Sequence, residues 1–195
     1  MAVEVKCPYK LYDEVVLFNG KWMQARQIRF RTADGTEGVW QSAHRNTRPA
    51  GASADGVSII GVLRRADKKF IVLVKQYRIP LGKFCLEFPA AEQAALRELK
   101  EETGYTASRV ISTSESCGLD PGLTDDSVNL VMVEIDGDAP ENVNPSQKLD
   151  STESIDVILL EHDQLLNYVR NAGKDVVVEA CLYAYAMGTQ FAQMA

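Results

Sequence analysis

The segment Leu96-Arg97-Glu98-Leu99-Lys100-Glu101-Glu102-Thr103-Gly104-Tyr105 reads as the end of a helix loaded with like charge. The helical run starts at Ala91: Ala and Leu fill it, no β-branched residue interrupts it before Thr103, and Gly104 stands where a left-handed C-cap belongs. At the helical angle of about 100° per residue, Glu98, Glu101 and Glu102 share one turn of one face. Like charges at this spacing destabilise a helix by a few tenths of a kcal/mol per pair, and the macrodipole disfavours anions near the C-terminal end. Helix stability alone does not favour such an arrangement, whereas a cation held among the three carboxylates does. Oxygen donors without sulfur or imidazole beside them suit Mg²⁺, with Mn²⁺ as a substitute, rather than zinc. Arg97 lies elsewhere on the helix, placed to hold one carboxylate or a strand end. The competing interpretation is a solvated surface helix of Glu and Lys.

Outward from this helix the chain is rich in strands. Phe84 to Phe88 is an apolar run of strand length stopped by Pro89, and Val57 to Leu63 and Phe70 to Gln76 form a hairpin across the charged Arg64–Lys69 stretch. Val110-Ile111, Val128 to Ile135 and Ile155 to Leu160 are further strands. Asp163 to Asn171 and Val176 to Gln190 read as helices, the last with Leu182, Tyr185 and Met187 available for packing. Asp136 to Ser154 is polar and proline-bearing, and is expected to be a long mobile loop. Before all of this, residues 1–50 form a β-rich region. Val15 to Phe18 closes on Asn19-Gly20, Lys21 to Thr32 alternates loosely, and Gly38 to Gln41 returns as another strand. Such an antiparallel meander is too thin to be stable alone and must bury a face elsewhere. The small-residue stretch Arg48–Gly56 marks the boundary, so a second region is expected over 57–195. The fold class is α+β with a mixed sheet.

Composition narrows the chemistry. The chain has 195 residues, 46% apolar and 25% charged, which suits one domain with a modest extension. Its net charge of −6 leaves no basic footprint for nucleic acid, and no apolar run reaches membrane-spanning length. The opening residues have no signal-peptide pattern, and the four cysteines form no C-x-x-C pair. A reducing cytoplasmic location is the default, with the nucleus left open. With only His44 and His162 present, carboxylate-based chemistry is favoured over a histidine-centred one.

Glu87-Phe88-Pro89-Ala90, followed by Arg97-Glu98-Leu99-Lys100-Glu101-Glu102-Thr103-Gly104-Tyr105, resembles the Nudix hydrolase family, whose signature ends in R-E-x-x-E-E-x-G-hydrophobic. Gly20-Lys21-Trp22, Val39-Trp40-Gln41-Ser42, Ala54-Asp55-Gly56-Val57, Val74-Lys75-Gln76-Tyr77-Arg78 and Asp120-Pro121-Gly122-Leu123-Thr124 extend the resemblance toward the ADP-sugar pyrophosphatase branch, over nearly the whole chain. The resemblance implies an α/β/α sandwich and homodimers with intertwined N-terminal β regions. It also implies Mg²⁺-dependent hydrolysis of a nucleoside diphosphate sugar such as ADP-ribose to AMP and a sugar phosphate.

Carried over residue by residue, the resemblance implies that Glu98, Glu101, Glu102 and the Ala90 carbonyl hold metal. Glu153 approaches the metal cluster and activates water, and Arg97 belongs to the catalytic box. Trp22 and Trp40 sandwich adenine, Arg45 and Arg78 grip the diphosphate, and Gln41 and Asp120 contact substrate. One departure stands out. The family box begins G-x₅-E-x₇-R-E, yet position 89, eight before Arg97, is a proline. The glycine-rich loop and its glutamate are missing after Ala90. A catalytically impaired ADP-ribose-binding protein is therefore one alternative, and a hydrolase of oxidised nucleoside diphosphates another.

Overall fold

The computed structural model describes residues 6–48, 50–91 and 95–194. The chain divides into two compact units. The first comprises residues 1–55 and 116–128, and the second residues 56–115 and 129–195.

In the first unit, β1 (Lys10–Asn19), β2 (Met23–Arg31) and β3 (Glu37–Arg45) form an antiparallel sheet in that order. The register runs from Lys10↔Arg31 to Asn19↔Gln24 and from Met23↔Arg45 to Arg31↔Glu37. β1 is interrupted by irregularities between Tyr12 and Val15 and between Val16 and Phe18, and Asp13 takes a left-handed φ of 51° there. Three strands cannot enclose a core of their own. Val15, Val16, Leu17, Phe18, Trp22 and Trp40 are correspondingly exposed. Charge draws the distant segment 116–128 into this unit. Arg45 Nε donates to Asp126 Oδ1 at 2.8 Å, His44 Nδ1 lies 2.8 Å from Asp125 Oδ2, and the Ala43 amide donates to the Leu123 carbonyl at 3.0 Å. Asp55 is the buried centre of the network: Arg48 donates to both its oxygens (2.9 and 2.6 Å), and the Ser127 amide and hydroxyl each reach Oδ2 at 3.0 Å.

The second unit carries β4 (Gly56–Arg65), β5 (Lys68–Arg78), β6 (Lys83–Glu87), β7 (Ala90–Ala91), α1 (Ala95–Thr103) and β8 (Arg109–Thr113). β9 (Cys117–Gly118) belongs to the first unit and pairs with Ser127 and Val128 at the start of β10 (Ser127–Asp136). There follow α2 (Pro140–Val143), β11 (Ile155–Glu161), α3 (Leu165–Arg170), β12 (Val176–Val178) and α4 (Ala180–Met194). The strand order is β12-β6-β5-β4-β10-β8. β5 is shared: its first half pairs with β4, its second half with β6, and β11 runs beside it from Phe70 to Gln76. β12 and β6 are parallel, which makes the sheet mixed.

Successive side chains of a strand point to opposite faces. Ile60, Ile71, Leu73, Leu86 and Phe88 therefore pack with Leu165, Leu166, Val169, Leu182 and Ala186 of α3 and α4. Their strand neighbours Ile59, Leu63 and Val72 pack with Leu99 of α1, Tyr105, Val131, Val133 and Ile135. A sheet buried on both faces needs apolar residues without alternation, which is what β4 and β5 supply. The expected α/β/α sandwich is present.

Three local expectations need correcting. The helix is seen from Ala95, residues 92–94 lie outside the described residues, and Ala91 pairs with Val57 as strand instead. Val176–Val178 is a strand and not the start of the last helix, because β6 offers an edge with the register Val176↔Phe84 to Val178↔Leu86. The polar segment from Asp136 is not an unstructured loop: it carries α2 and is hydrogen-bonded to neighbouring elements. Buried Asn142 donates to the Thr106 and Asp136 carbonyls (3.0 and 2.7 Å) and accepts from the Thr106 amide (2.8 Å). Gly104 has φ 78° as its cap position requires, and its amide donates to the Lys100 carbonyl at 2.8 Å. A Cβ there would also stand 2.4 Å from the Ser146 nitrogen, so the same glycine seats this segment against the helix end.

Candidate active site

Leu99, fully buried, anchors α1 on the sheet, leaving Glu98 and Glu102 one turn apart on a flank of the helix. Arg97 donates to Glu98 Oε1 at 3.0 Å and pairs with Glu101 as well. Glu102 has a different environment. Its Oε2 accepts the Ala90 amide at 3.3 Å, and burial pushes its carboxyl up to about 7. The Ala90 amide opposes that shift, while the charges of Glu153 and Glu98 add to it. Three predicted residues, Glu98, Glu102 and Glu153, thus share one electrostatic neighbourhood, with Ala90 at its edge.

The strand entering this neighbourhood is fixed residue by residue. Glu87, buried, accepts two hydrogen bonds from Arg78 (Nε to Oε1 2.9 Å, Nη2 to Oε2 2.6 Å). Arg78 is thereby raised above the ordinary arginine value, mainly by that hydrogen bond. The Phe88 amide donates to Glu179 Oε2 at 3.2 Å, and the Pro89 carbonyl accepts the Ile59 amide at 2.8 Å. Burial also pushes the Glu179 carboxyl up, against the opposing Phe88 amide.

Glu153 closes a short turn. Its Oε2 accepts the Asp150 amide at 2.9 Å, and its own amide donates to the Asp150 carbonyl at 3.0 Å. The segment before it is tied to α1 by Gln147, whose Nε2 donates to the carbonyls of Glu102 (2.6 Å) and Ile155 (2.9 Å). The Lys148 amide also donates to the Glu101 carbonyl at 2.7 Å. Gln147, Glu87 and Glu179 are absent from the sequence-based list. Only Glu87 left a signal there, as a charge inside an apolar strand.

In the first unit Trp22 and Trp40 are both largely exposed. Lys21 Nζ sits 4.3 Å above the Trp22 ring, and Trp40 lines an apolar hollow of about 250 Å³ with Tyr9, Leu11, Ile28 and Phe30. Gln41 Nε2 donates to Gln27 Oε1 at 3.0 Å on the neighbouring strand. Arg45 is engaged by Asp126, and the Asp120 carbonyl accepts the Leu123 and Thr124 amides (3.0 and 2.8 Å) in a tight turn.

Among the described residues no three His, Cys, Asp or Glu side chains converge as a ready-formed metal centre. The donor chemistry nevertheless fits a hard divalent cation: carboxylates only, with Glu102 partly desolvated and raised further by the charges of Glu153 and Glu98. Such an ion offsets the unfavourable charge that the carboxylates impose on each other.

The NUDIX domain model matches residues 53–181. The chain is 59% identical over 201 aligned residues to a putative nudix hydrolase 2 of Caenorhabditis elegans, covering 98% of this chain and 90% of that one. It is 37% identical over 191 residues to an ADP-sugar pyrophosphatase of Mus musculus, covering 92% of this chain and 87% of that one. A crystal structure of an ADP compounds hydrolase superposes with a TM-score of 0.65 at 14% identity, covering 99% of both chains, and bears on the fold alone. The chain belongs to the Nudix hydrolase family and is an enzyme of its diphosphatase type. The 201 positions aligned with the worm protein exceed the chain's own 195, so that alignment opens gaps in this chain.

Proposed function

We propose that this protein hydrolyses ADP-sugars such as ADP-ribose to AMP and a sugar phosphate, as a cytoplasmic, Mg²⁺-dependent homodimer. The observation that carries the proposal is Glu102, half-buried on the signature helix beside Glu98 and Glu153 with a carboxyl pushed up to about 7. The name of the mouse relative supports the substrate class. Glu98, Glu101, Glu102, Glu153 and the Ala90 carbonyl are proposed to hold the metal. When bound, the ion supplies positive charge to the diphosphate and lowers the pKa of a water. Glu153 or a glutamate of α1 takes the proton from the attacking water. Arg97 donates to Glu98 and pairs with Glu101, orienting both carboxylates.

Trp22 and Trp40 are assigned to the adenine, Arg45 and Arg78 to the diphosphate, and Gln41 and Asp120 to further substrate contacts. Guanidinium groups stay charged at any working pH and bind phosphate oxygens bidentately. Residues 1–50 are assigned to dimerisation and residues 57–195 to the hydrolase domain. The exposed apolar side chains of β1 are consistent with a covering partner.

Incubation with ADP-ribose and Mg²⁺ is expected to release AMP, and chelation to stop it; AMP is quantified by chromatography. A second reading, a protein that binds ADP-ribose without turning it over, is favoured by Pro89, which stands where the family box has its first glutamate, and by the missing glycine-rich start of that box. Binding measured by calorimetry without AMP release supports that reading, and release from oxidised nucleoside diphosphates alone redirects the substrate assignment. Saturating ADP-ribose is also expected to quench tryptophan fluorescence, since base–aromatic stacking contributes about 1–3 kcal/mol per base. An unchanged spectrum removes both tryptophans from the site.

A further inference from the structure

Glu179 has no part in the chemistry assigned above, yet it holds the Phe88 amide just past the end of β6, two residues before Ala90. β12 runs parallel to β6 as far as Val178↔Leu86, and the next amide, that of Glu179, donates to the Leu86 carbonyl at 2.9 Å. There the chain turns into α4, whose first turn is marked by the Tyr183 amide donating to the Glu179 carbonyl at 3.0 Å. The ladder on this edge ends one amide short. Phe88, with its side chain 1% exposed, still has an N–H to satisfy, and Glu179 Oε2 accepts it at 3.2 Å. A side chain thus replaces the missing backbone acceptor. The residues that follow are held from elsewhere: the Pro89 carbonyl by the Ile59 amide, and the Ala90 amide by Glu102. On the preceding side Glu87 is held by Arg78. Without the Phe88 bond, the strand end loses its tie on the α4 side two residues before Ala90.

We infer that Glu179 is a positioning residue for the active site, its carboxylate fixing the Phe88 amide and so the placement of Ala90 against Glu102. The inference rests on the assignment of Ala90 and Glu102 proposed above. Supporting partners of this kind commonly change metal affinity or activity about 10–100-fold when removed.

The test uses the full-length protein and three variants. Glu179→Leu removes the acceptor, Glu179→Gln retains one, and Glu179→Asp keeps the charge on a shorter stem. Mn²⁺ affinity is read without substrate, by electron paramagnetic resonance of the free ion, beside kcat and KM for ADP-ribose. The leucine variant is expected to lose about 10–100-fold in both Mn²⁺ affinity and kcat, with KM changed much less and the glutamine variant close to wild type. If leucine does not fold, the aspartate variant is expected to show the same losses in smaller measure. A folded leucine or aspartate variant with wild-type Mn²⁺ affinity and kcat, whatever its thermal midpoint, overturns the inference. Wild-type protein that neither binds Mn²⁺ nor releases AMP overturns the functional assignment instead.

Discussion

Glu102→Gln is expected to lower Mg²⁺-dependent turnover at least about 100-fold, the scale on which enzymes lose rate when a group stabilising transition-state charge is removed. The physical case lies in the surroundings of this carboxylate. Burial and the negative charges of Glu153 and Glu98 work against its ionisation, while the Ala90 amide and the charge of Arg78 favour it. In the absence of metal the ionised side chain is a destabilising element, because a partly desolvated charge lacks a full set of partners. The same substitution should therefore leave the metal-free thermal midpoint unchanged or higher. Adding Mg²⁺ should stabilise the wild type and not the variant, since a ligand that binds only the folded state raises the midpoint by mass action. Calorimetric scans with and without Mg²⁺, run beside AMP release, check both halves. A variant that retains turnover removes Glu102 from the metal site.

Asp55→Asn is expected to give the largest stability change, a loss of about 2–3 kcal/mol, the upper range for hydrogen bonds to charged groups. Asp55 is 7% exposed and accepts from Arg48 Nε and Nη2, the Ser127 amide and the Ser127 hydroxyl. Asparagine has one acceptor oxygen and turns an N–H₂ group toward donors that then lack an acceptor. The Arg48 hydrogen bond is the main cause holding the Asp55 carboxyl below the ordinary aspartate range, with Ser127 contributing and burial opposing. A carboxyl with a folded pKa below its unfolded value of about 3.9 binds fewer protons when folded. Its stabilisation is complete above that unfolded value and disappears as pH falls through the depressed folded one. The gap in thermal midpoint between wild type and variant should accordingly be constant near neutrality and shrink only in acid. A gap that persists undiminished at pH 2 would sink this account.

The acidic helix and its neighbours were legible because their signals are local. Helical spacing places the glutamates, and the glycine at position 104 announces its own cap, with φ 78°. The strands of the two-faced sheet were legible as apolar runs for the same reason. Val176–Val178 was misread because three valines attached to an apolar helix carry no mark of a partner edge; β6, some ninety residues earlier, supplies it. Polar composition likewise predicts a long loop without regular structure after Asp136. Asn142 instead finds its hydrogen-bond partners in Thr106 and Asp136 and is buried with its amide satisfied.

The amino-acid order by itself determined which carboxylates lie on one helix turn, which runs become strands, and which family the chain resembles, since all three depend on neighbours along the chain. Only the tertiary structure decided that Arg78 pairs with Glu87, that Gln147 ties the Glu153 segment to α1, and that Glu179 completes the amide of Phe88. These bonds join residues nine, 45 and 91 positions apart, which no local pattern pairs. At Phe88 the sheet runs out of backbone partners, and burial makes the remaining donor find a side-chain acceptor.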